Sequence, residues 1–288
     1  MTRRHQTDDT CGIAHAAGVV GDWWTLLVLR EIARGHVRFD RLAAELGLSR
    51  KVLSERLATL TGHGVLERRP YQDRPTRYEY VLTERGRDLL PVLVSLQDWA
   101  DRWLLGDGTL TGNAAGGGGD TARVHQLVGT RIPDGLELPG TDGAVHSPVA
   151  PGARATVLFA YPATGVPGGP PRPDVPGAAG CTLENRLFRE AWPRCDAAGI
   201  AVRGVSTQLP GEQARFAAAE DLPFVLLSDE RLRLAAALRL PTFRSAQDLR
   251  LKRLILVLDA ERTVRHALFP VTDIPAAVEE ALAHGSAL

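Results

Sequence analysis

One cysteine of this chain is placed where a thiol can do chemistry. Cys181 follows a stretch rich in proline and glycine and directly precedes a helix predicted to begin near Thr182. A thiolate at a helix N-terminus is stabilised by the unpaired N–H groups and by the helix dipole. Attack on a peroxide needs that thiolate and a donor that steadies the departing oxygen, and Arg253 on a later strand is a cation able to fold back toward it. The alternative is an unreactive loop cysteine.

The other two cysteines have different settings. Cys11 lies at the start of the first predicted helix and is either a redox-sensing thiol or a small packing residue. Cys195 lies on the same predicted helix as Cys181, about 21 Å further along its axis. That separation exceeds the roughly 7 Å reach of a disulfide, so we assign Cys195 to packing. Three cysteines do not make a disulfide framework.

Nucleic-acid recognition is indicated between residues 48 and 87, where nine basic residues stand against five acidic ones. Such a local excess suits the neutralisation of phosphates, and polar side chains at a helix N-terminus can reach base edges in the major groove. The alternative is a solvated charged face. The candidate contacts are Ser49, Arg50, Lys51, Ser54 and Glu55 on a helix, followed by Arg68, Arg69, Arg74 and Arg77 on a hairpin.

Two helices position the first group of these contacts. Apolar residues at helical spacing from Phe39 to Leu46 predict one helix, and Gly47 allows a tight turn after it. Ser49 is a favourable N-cap for the second helix, which Gly62 helps to end. Two helices joined by a short glycine-containing turn predict a helix-turn-helix. One continuous helix is predicted before them, from near Cys11 to Ile32.

A β-hairpin wing and a long helix are predicted next. Alternation from Arg77 to Leu82 predicts a strand whose buried face includes Tyr78 and Tyr80. Thr83 can cap a final helix that runs to about Leu105 and carries a long apolar stripe, with a kink expected at Pro91 near its start. A small domain has little need for such a stripe, so we expect a partner helix from a second copy of the chain.

The second half alternates strand and helix signals and closes with a hairpin and a helix. This order predicts a mixed sheet covered on both faces, which is the thioredoxin arrangement. Four consecutive glycines between the halves predict a flexible linker. We therefore predict a multidomain chain: a winged helix-turn-helix of the α+β class at residues 1–105, a Gly-rich linker at 106–122, and an α/β thioredoxin-like domain at 123–288.

The first half resembles a family of regulators. The segments SRKVLSERL and YVLTERGRDL, within about residues 11–104, closely resemble HxlR-type winged-helix regulators. This resemblance implies a double-stranded DNA operator as partner and a homodimer formed by the terminal helices. Members commonly carry a cysteine at the position of Cys11, in some cases redox-sensing, and a proline where this chain has Gly12.

The second half is similar to peroxiredoxins of the bacterioferritin-comigratory (Q) group, over about residues 130–285. The segment GCTLENRLFR at 180–189 carries the likeness, which implies a peroxidatic role for Cys181 and an active-site role for Arg253. The chain also departs from that group. Ala178 replaces its peroxide-orienting threonine, for which Thr164 is the candidate substitute, and Arg186 replaces its resolving cysteine.

Composition narrows the class of protein. No run of 18 apolar residues predicts a membrane span, and the first ten residues lack a signal core, so we expect a cytoplasmic protein. The eight histidines show no metal-ligand spacing, so we predict no metal and no other cofactor.

Two functions remain open at this level. The first is a transcription regulator that senses oxidant through Cys181, alone or together with Cys11. The second is a one-cysteine thiol peroxidase with an attached autoregulatory DNA-binding domain. Oxidised Cys181 would need an external thiol reductant such as thioredoxin, or a thiol of another chain, because no resolving cysteine is apparent. The missing threonine and resolving cysteine rank the peroxidase second.

Overall fold

The computed structural model describes residues 11–100, 103–104, 119–165, 180–245 and 247–288. Most of the predicted linker at 106–122, most of the Pro/Gly-rich loop and Ala178 lie outside these residues. By its internal contacts the chain divides into two compact units, Met1–Leu93 and Val94–Leu288.

The first unit begins with two helices, α1 (Gly12–Val20) and α2 (Trp23–Ala33), where the sequence predicted one. At Gly21 a Cβ would lie 2.5 Å from the carbonyl oxygen of Ala17, so only glycine fits the bend. The Asp22 carboxylate then accepts two N–H groups of the first turn of α2, at 3.0 and 3.3 Å. This cap starts a new helix, so the prediction of a continuous helix was wrong.

The predicted helix-turn-helix is confirmed as α3 (Phe39–Leu46) and α4 (Arg50–Gly62). Gly47 turns the chain with a φ of 61°, in the left-handed region that favours glycine. The Ser49 hydroxyl caps α4 by accepting a first-turn N–H at 3.3 Å. The inward face of α4 is fully buried, at Leu53, Leu57 and Leu60.

The wing is the antiparallel pair β1 (Leu66–Asp73) and β2 (Thr76–Leu82). Its base is tied to the helices by the N–H of Tyr80, which donates to the Val37 carbonyl at 2.7 Å. Tyr80 packs against the core, but Tyr78 is 36% exposed and not part of the buried face that alternation predicted. The hairpin extends beyond the core, so only its base is covered.

The predicted final helix is two helices, α5 (Glu84–Arg87) and α6 (Leu90–Ala100). Thr83 caps α5 as expected, by accepting the N–H of Gly86 at 3.2 Å. The break comes at Asp88 and Leu89, two to three residues before Pro91. In one continuous helix Pro91 would offer no N–H to the Arg87 carbonyl and its ring would clash with that carbonyl, whereas proline is tolerated in the first turn of α6. Residues 101–102 lie outside the description.

No single described helix is long and apolar enough to cross a membrane. Helices α1 and α2 meet the length and hydropathy requirement only when taken together, and they bend by 73° at their junction. Several residues of α2 are buried in the core of the first unit.

The second unit is built around a five-stranded mixed sheet. Its helices are α7 (Gly119–His125), α8 (Cys181–Ala197), α9 (Pro210–Ala219), α10 (Arg233–Leu238) and α11 (Ile274–Ala287). Its strands are β3 (Leu138–Pro139), β4 (Val145–His146), β5 (Ala155–Ala160), β6 (Ile200–Ser206), β7 (Leu226–Ser228), β8 (Thr242–Ser245), β9 (Asp248–Leu251), β10 (Leu254–Asp259) and β11 (Val264–Leu268).

The sheet has the order β11-β10-β5-β6-β7. Strands β5, β6 and β7 are parallel, whereas β10 runs antiparallel to both β5 and β11. The predicted thioredoxin-like mixed sheet is therefore confirmed. Helices α8 and α11 pack against it, and Phe188 stacks on Phe159 of β5 with ring centroids 4.5 Å apart. Cys195 is buried in this core, which confirms its packing assignment.

Candidate thiol site and nucleic-acid interface

Cys181 is the first residue of α8, and its side chain is fully buried. Gly180 precedes it as the N-cap. A Cβ at Gly180 would lie 2.2 Å from Ile274 Cδ1 and 2.8 Å from Arg253 Nη1. The absence of a side chain at Gly180 is what lets the guanidinium of Arg253 approach the start of the helix.

Arg253 connects the thiol to a buried carboxyl group. Its Nη2 lies 3.2 Å from Cys181 Sγ, and its Nε donates to Glu184 Oε2 at 3.1 Å. Arg253 precedes β10, whereas Glu184 lies one turn after Cys181 on α8, and all three residues are at most 1% exposed. The strand and the helix thus hold thiol, guanidinium and carboxyl in a row.

Burial dominates the electrostatics of this row. It raises the pKa of Cys181 to about 11, although the Arg253 guanidinium and the backbone N–H of Ala163 both act to lower it. Burial also raises the pKa of Glu184 to about 8 against the opposing effect of Arg253. In this closed arrangement burial outweighs the effects that lower the pKa of the thiol, and the expected reactive thiolate at Cys181 stays a prediction. Water that reached Cys181 would remove the largest cause of the raised pKa and leave Arg253 to favour the thiolate.

Thr164 lies next to Ala163, but its hydroxyl contacts a different side chain. Its Oγ1 and its backbone N–H donate to Gln208 Oε1 at 3.2 and 2.7 Å, and Gln208 Nε2 donates to its carbonyl at 3.3 Å. The group near Cys181 is instead the backbone N–H of Ala163. A role of Thr164 in orienting peroxide stays a prediction.

A second thiol does not lie beside Cys181 among the residues described on α8. Arg186, at the position of the family's resolving cysteine, pairs with Glu220 at 2.6 and 2.8 Å on the surface. Cys11 is half-buried at the start of α1 in the first unit. Its redox-sensing role stays a prediction.

Glu184 was not among the site residues predicted from the sequence. Its spacing of three residues from Cys181 carried the signal, because residues three apart share one face of a helix. The contact between the backbone N–H of Ala163 and Cys181 could not be predicted from the pattern of side chains.

All the predicted nucleic-acid contacts are exposed side chains of the first unit. On the helix side Arg50 pairs with Asp40 at 2.8 Å, and its guanidinium lies 4.8 Å from the centre of the Phe39 ring. These contacts position the guanidinium of Arg50, which stays exposed near the N-terminus of α4. The exposed set is Ser49, Arg50, Lys51, Ser54, Glu55, Arg68, Arg69, Arg74 and Arg77.

The wing adds paired arginines and tyrosines, which the sequence argument missed. The Arg68 guanidinium lies 5.0 Å from the centre of the Tyr78 ring, and that of Arg38 lies 4.3 Å from the centre of the Tyr71 ring. Arg38 also pairs with Glu79 of β2 at 2.9 Å. The register between β1 and β2 brings Arg68 close to Tyr78. The second pair forms because Arg38, the residue before α3, approaches the wing.

Two family models match separate parts of the chain. The HxlR-like helix-turn-helix model matches residues 19–107, and the AhpC/TSA family model matches residues 175–267. The first match contains α2 to α6, and the second contains Cys181, Glu184 and Arg253.

The chain is also similar to curated proteins over its first third. A protein of Mycobacterium tuberculosis described as an uncharacterized HTH-type transcriptional regulator is 47% identical over 92 residues, which is 32% of this chain and 58% of the relative. A Synechocystis sp. protein of the same description is 39% identical over 100 residues, covering 34% of this chain and 74% of that protein. The chain thus spans little more than half the length of the mycobacterial relative.

Among solved structures, the second half is similar to the peroxidoxin BcpB from Mycobacterium tuberculosis. The identity is 27%, the TM-score is 0.47, and the match covers 56% of this chain and 97% of that one.

Proposed function

The chain belongs to the HxlR-like helix-turn-helix family of transcriptional regulators and carries an AhpC/TSA-family domain, and from this we propose that it is a DNA-binding regulator whose operator affinity depends on the oxidation of Cys181. The observation that carries the proposal is the 3.2 Å contact between Arg253 and the Cys181 thiol, in the same chain as a basic winged helix. We place this regulator in the cytoplasm, with the operator DNA.

The DNA part of the proposal rests on the exposed face of the first unit. Ser49, Arg50, Lys51 and Ser54 lie at the N-terminal end of α4, the end that contacts bases in helix-turn-helix proteins. The arginines of the wing supply phosphate contacts behind it. Because each phosphate contact releases a counterion, binding should weaken steeply as salt is added.

Charge reversal tests this face. We expect Lys51→Glu and Arg74→Glu to weaken retention of a duplex taken from upstream of the protein's own gene and to flatten its salt dependence. Arg194→Glu is the control, because Arg194 is 64% exposed but lies in the second unit. Equal retention and equal salt slopes for all three variants and the parent protein would remove the DNA proposal.

The redox part of the proposal is one oxidation step. The thiolate sulfur of Cys181 attacks one peroxide oxygen, the O–O bond breaks, and the other oxygen leaves as water or an alcohol after taking up a proton. The product is a sulfenic acid beside Arg253. An external dithiol such as thioredoxin returns it to the thiol in two steps. One sulfhydryl forms a mixed disulfide with Cys181 and water is released; the second then displaces the Cys181 thiol and closes the reductant's own disulfide.

The raised pKa of Cys181 favours a sensor over a rapidly cycling peroxidase. With a pKa of about 11, about one thiol in ten thousand is ionised at pH 7. Such a site reacts in proportion to how often it opens to solvent, which suits a slow, stoichiometric response. Arg186, which pairs with Glu220, also stands where a resolving cysteine would lie, so that turn of α8 offers no thiol to the sulfenic acid.

The thiol peroxidase is the second candidate, supported by the same contact between Arg253 and Cys181. It requires steady peroxide consumption with thioredoxin or dithiothreitol that disappears in Cys181→Ser. Mass spectrometry after one equivalent of peroxide, together with peroxide consumption under excess peroxide and reductant, separates the cases. Sulfenate at Cys181 without turnover supports the sensor, whereas sustained turnover supports the enzyme.

We further propose that the regulator is a homodimer formed through α6. Its outward residues are apolar and half exposed: Val92 at 50%, Leu96 at 48% and Trp99 at 54%. Contiguous apolar side chains of this size on a soluble protein typically mark an association surface. A twofold dimer would present two copies of α4 to successive turns of the operator.

A further inference from the structure

Three metal-ligating side chains meet on the second unit outside the thiol site. His266 lies on β11, and Glu280 and His284 lie on α11. One ligand atom from each falls within 4.8 Å of the others. The sequence predicted no metal, because His266 is fourteen residues from Glu280 and no local motif joins them. Packing of the last helix on the edge strand creates the spacing.

The two elements that carry these residues are well anchored. Glu280 and His284 are four residues apart and therefore share one face of α11. The Asp273 carboxylate caps that helix by accepting the N–H of Ala276 at 3.0 Å. His266 is partly buried on β11, where it lies opposite the buried Val257 of β10. Helix and strand therefore fix the backbone positions of the three ligands without a loop.

The distance between the first two ligand atoms is close to that of a tetrahedral site. His266 Nε2 and Glu280 Oε1 are 3.0 Å apart. Zinc bonds of about 2.0–2.2 Å place neighbouring donors about 3.3 Å apart. The His284 ring stacks on that of His266 with centroids 3.6 Å apart. Because His284 is exposed, its side chain can rotate to aim a nitrogen at the shared centre.

We propose that His266, Glu280 and His284 bind a divalent cation of the zinc type. Two imidazoles and one carboxylate are ligands that Zn²⁺ prefers, and three protein ligands leave one coordination position open. His266 and Glu280 also line a cleft of about 360 Å³, together with Phe269 and Asp273. Water or a small oxygen donor entering that cleft supplies the fourth ligand.

A second group of ligating side chains does not compete with this assignment. Glu31, His36 and Glu45 also lie close together in the first unit. The carboxylate of Glu31, however, is already neutralised by Arg30 and Arg34, at 2.7 and 2.9 Å. These cations would repel a metal ion.

Titration of the reduced full-length protein with Co²⁺ and Zn²⁺ tests the proposal. We expect one equivalent to bind and to raise the thermal midpoint of the second unit, because a cation that binds only the folded state stabilises it. We expect His284→Ala and Glu280→Gln to weaken binding at least about tenfold. Zn²⁺ should also shift the ring resonances of His266 and His284 in the parent protein.

The control is His146→Ala. His146 pairs with Asp142 at 2.8 Å and belongs to neither three-residue group found among the described residues, so its loss should leave affinity unchanged. Three outcomes would overturn the site: no stoichiometric binding, equal affinity in the two ligand variants and the parent, or a sulfur-to-cobalt charge-transfer band that assigns the metal to cysteine. Because His284 is exposed, circular dichroism should show that His284→Ala keeps the fold.

Discussion

Replacement of Arg253 by methionine should suppress the reactivity of Cys181. The guanidinium nitrogen lies 3.2 Å from the sulfur. With the charge centres about 4 Å apart and an effective dielectric constant of about 20, the attraction to a thiolate is about 4 kcal/mol. That energy corresponds to about three pKa units. The pKa of Cys181, already raised to about 11 by burial, should therefore rise further in Arg253→Met.

The assay is site-resolved alkylation. Iodoacetamide is added at pH 7.5, and mass spectrometry follows Cys181 and Cys195 in the same sample. We expect Arg253→Met to slow modification of Cys181 at least about a hundredfold, because fewer thiolates form. Cys195 is an internal reference, since it is buried on the same helix, and its modification reports general opening of the fold.

A second variant separates charge from folding. Arg253→Met leaves Glu184 buried without its cation, so part of its effect is a loss of stability. Arg253→Met/Glu184→Gln removes that unpaired carboxyl and should recover stability without recovering Cys181 reactivity. The matched control is Arg189→Met, which removes a guanidinium from α8, the helix that carries Cys181. Unchanged alkylation of Cys181 relative to Cys195 in both variants would refute the assigned role of Arg253.

Three further expectations follow from the structure. Gly180→Ala should cost about 1–3 kcal/mol of stability by overpacking and slow Cys181 modification, because its Cβ would meet Ile274 and Arg253. Thermal unfolding checks this against Gly165→Ala, whose Cβ would meet no atom of the described residues within 4 Å. Burial raises the pKa of Glu184 from 4.5 to about 8, so its folded-state proton stabilises the protein fully below pH 4.5 and this stability is lost as pH rises through 8. In denaturant unfolding, the stability of Glu184→Gln relative to the parent protein should increase between pH 4.5 and 8, by at most about 5 kcal/mol. Parallel pH profiles of stability for the two proteins would argue against this. Leu96→Glu/Trp99→Glu should convert a dimer to a monomer in sedimentation velocity, and an unchanged sedimentation coefficient would remove α6 from the interface.

Much of the fold is predictable because the local periodicity of apolar residues indicates its helices and strands. The leucines of α4 and the run ATVLFA of β5, apolar apart from Thr156, identify these elements on their own, and Ser49 marks where α4 begins. The break at Gly21 was missed, since apolar residues lie on both sides of it, whereas Pro91 indicated a kink near the break that precedes it. Short strands such as β8 are too brief for a pattern to emerge.

The candidate site was only partly predictable for a different reason. Cys181 and Arg253 were visible as residue types, but the desolvation that sets the thiol pKa depends on how completely the core closes over it. The meeting of His266 with Glu280 and His284 likewise depends on the register between α11 and β11. Sequence spacing carries no information on either until the strand order is known.

The central claim is that oxidation of Cys181 changes DNA affinity, and one titration tests it directly. Fluorescence anisotropy of a labelled upstream duplex is measured with the protein reduced, after one equivalent of peroxide, and after re-reduction by dithiothreitol. We expect the affinity to change about tenfold on oxidation and to return on reduction, a coupling within the usual range for linked sites, and to stay constant in Cys181→Ser. Identical affinities in all three states, with Cys181 shown to be oxidised by mass spectrometry, would contradict the account.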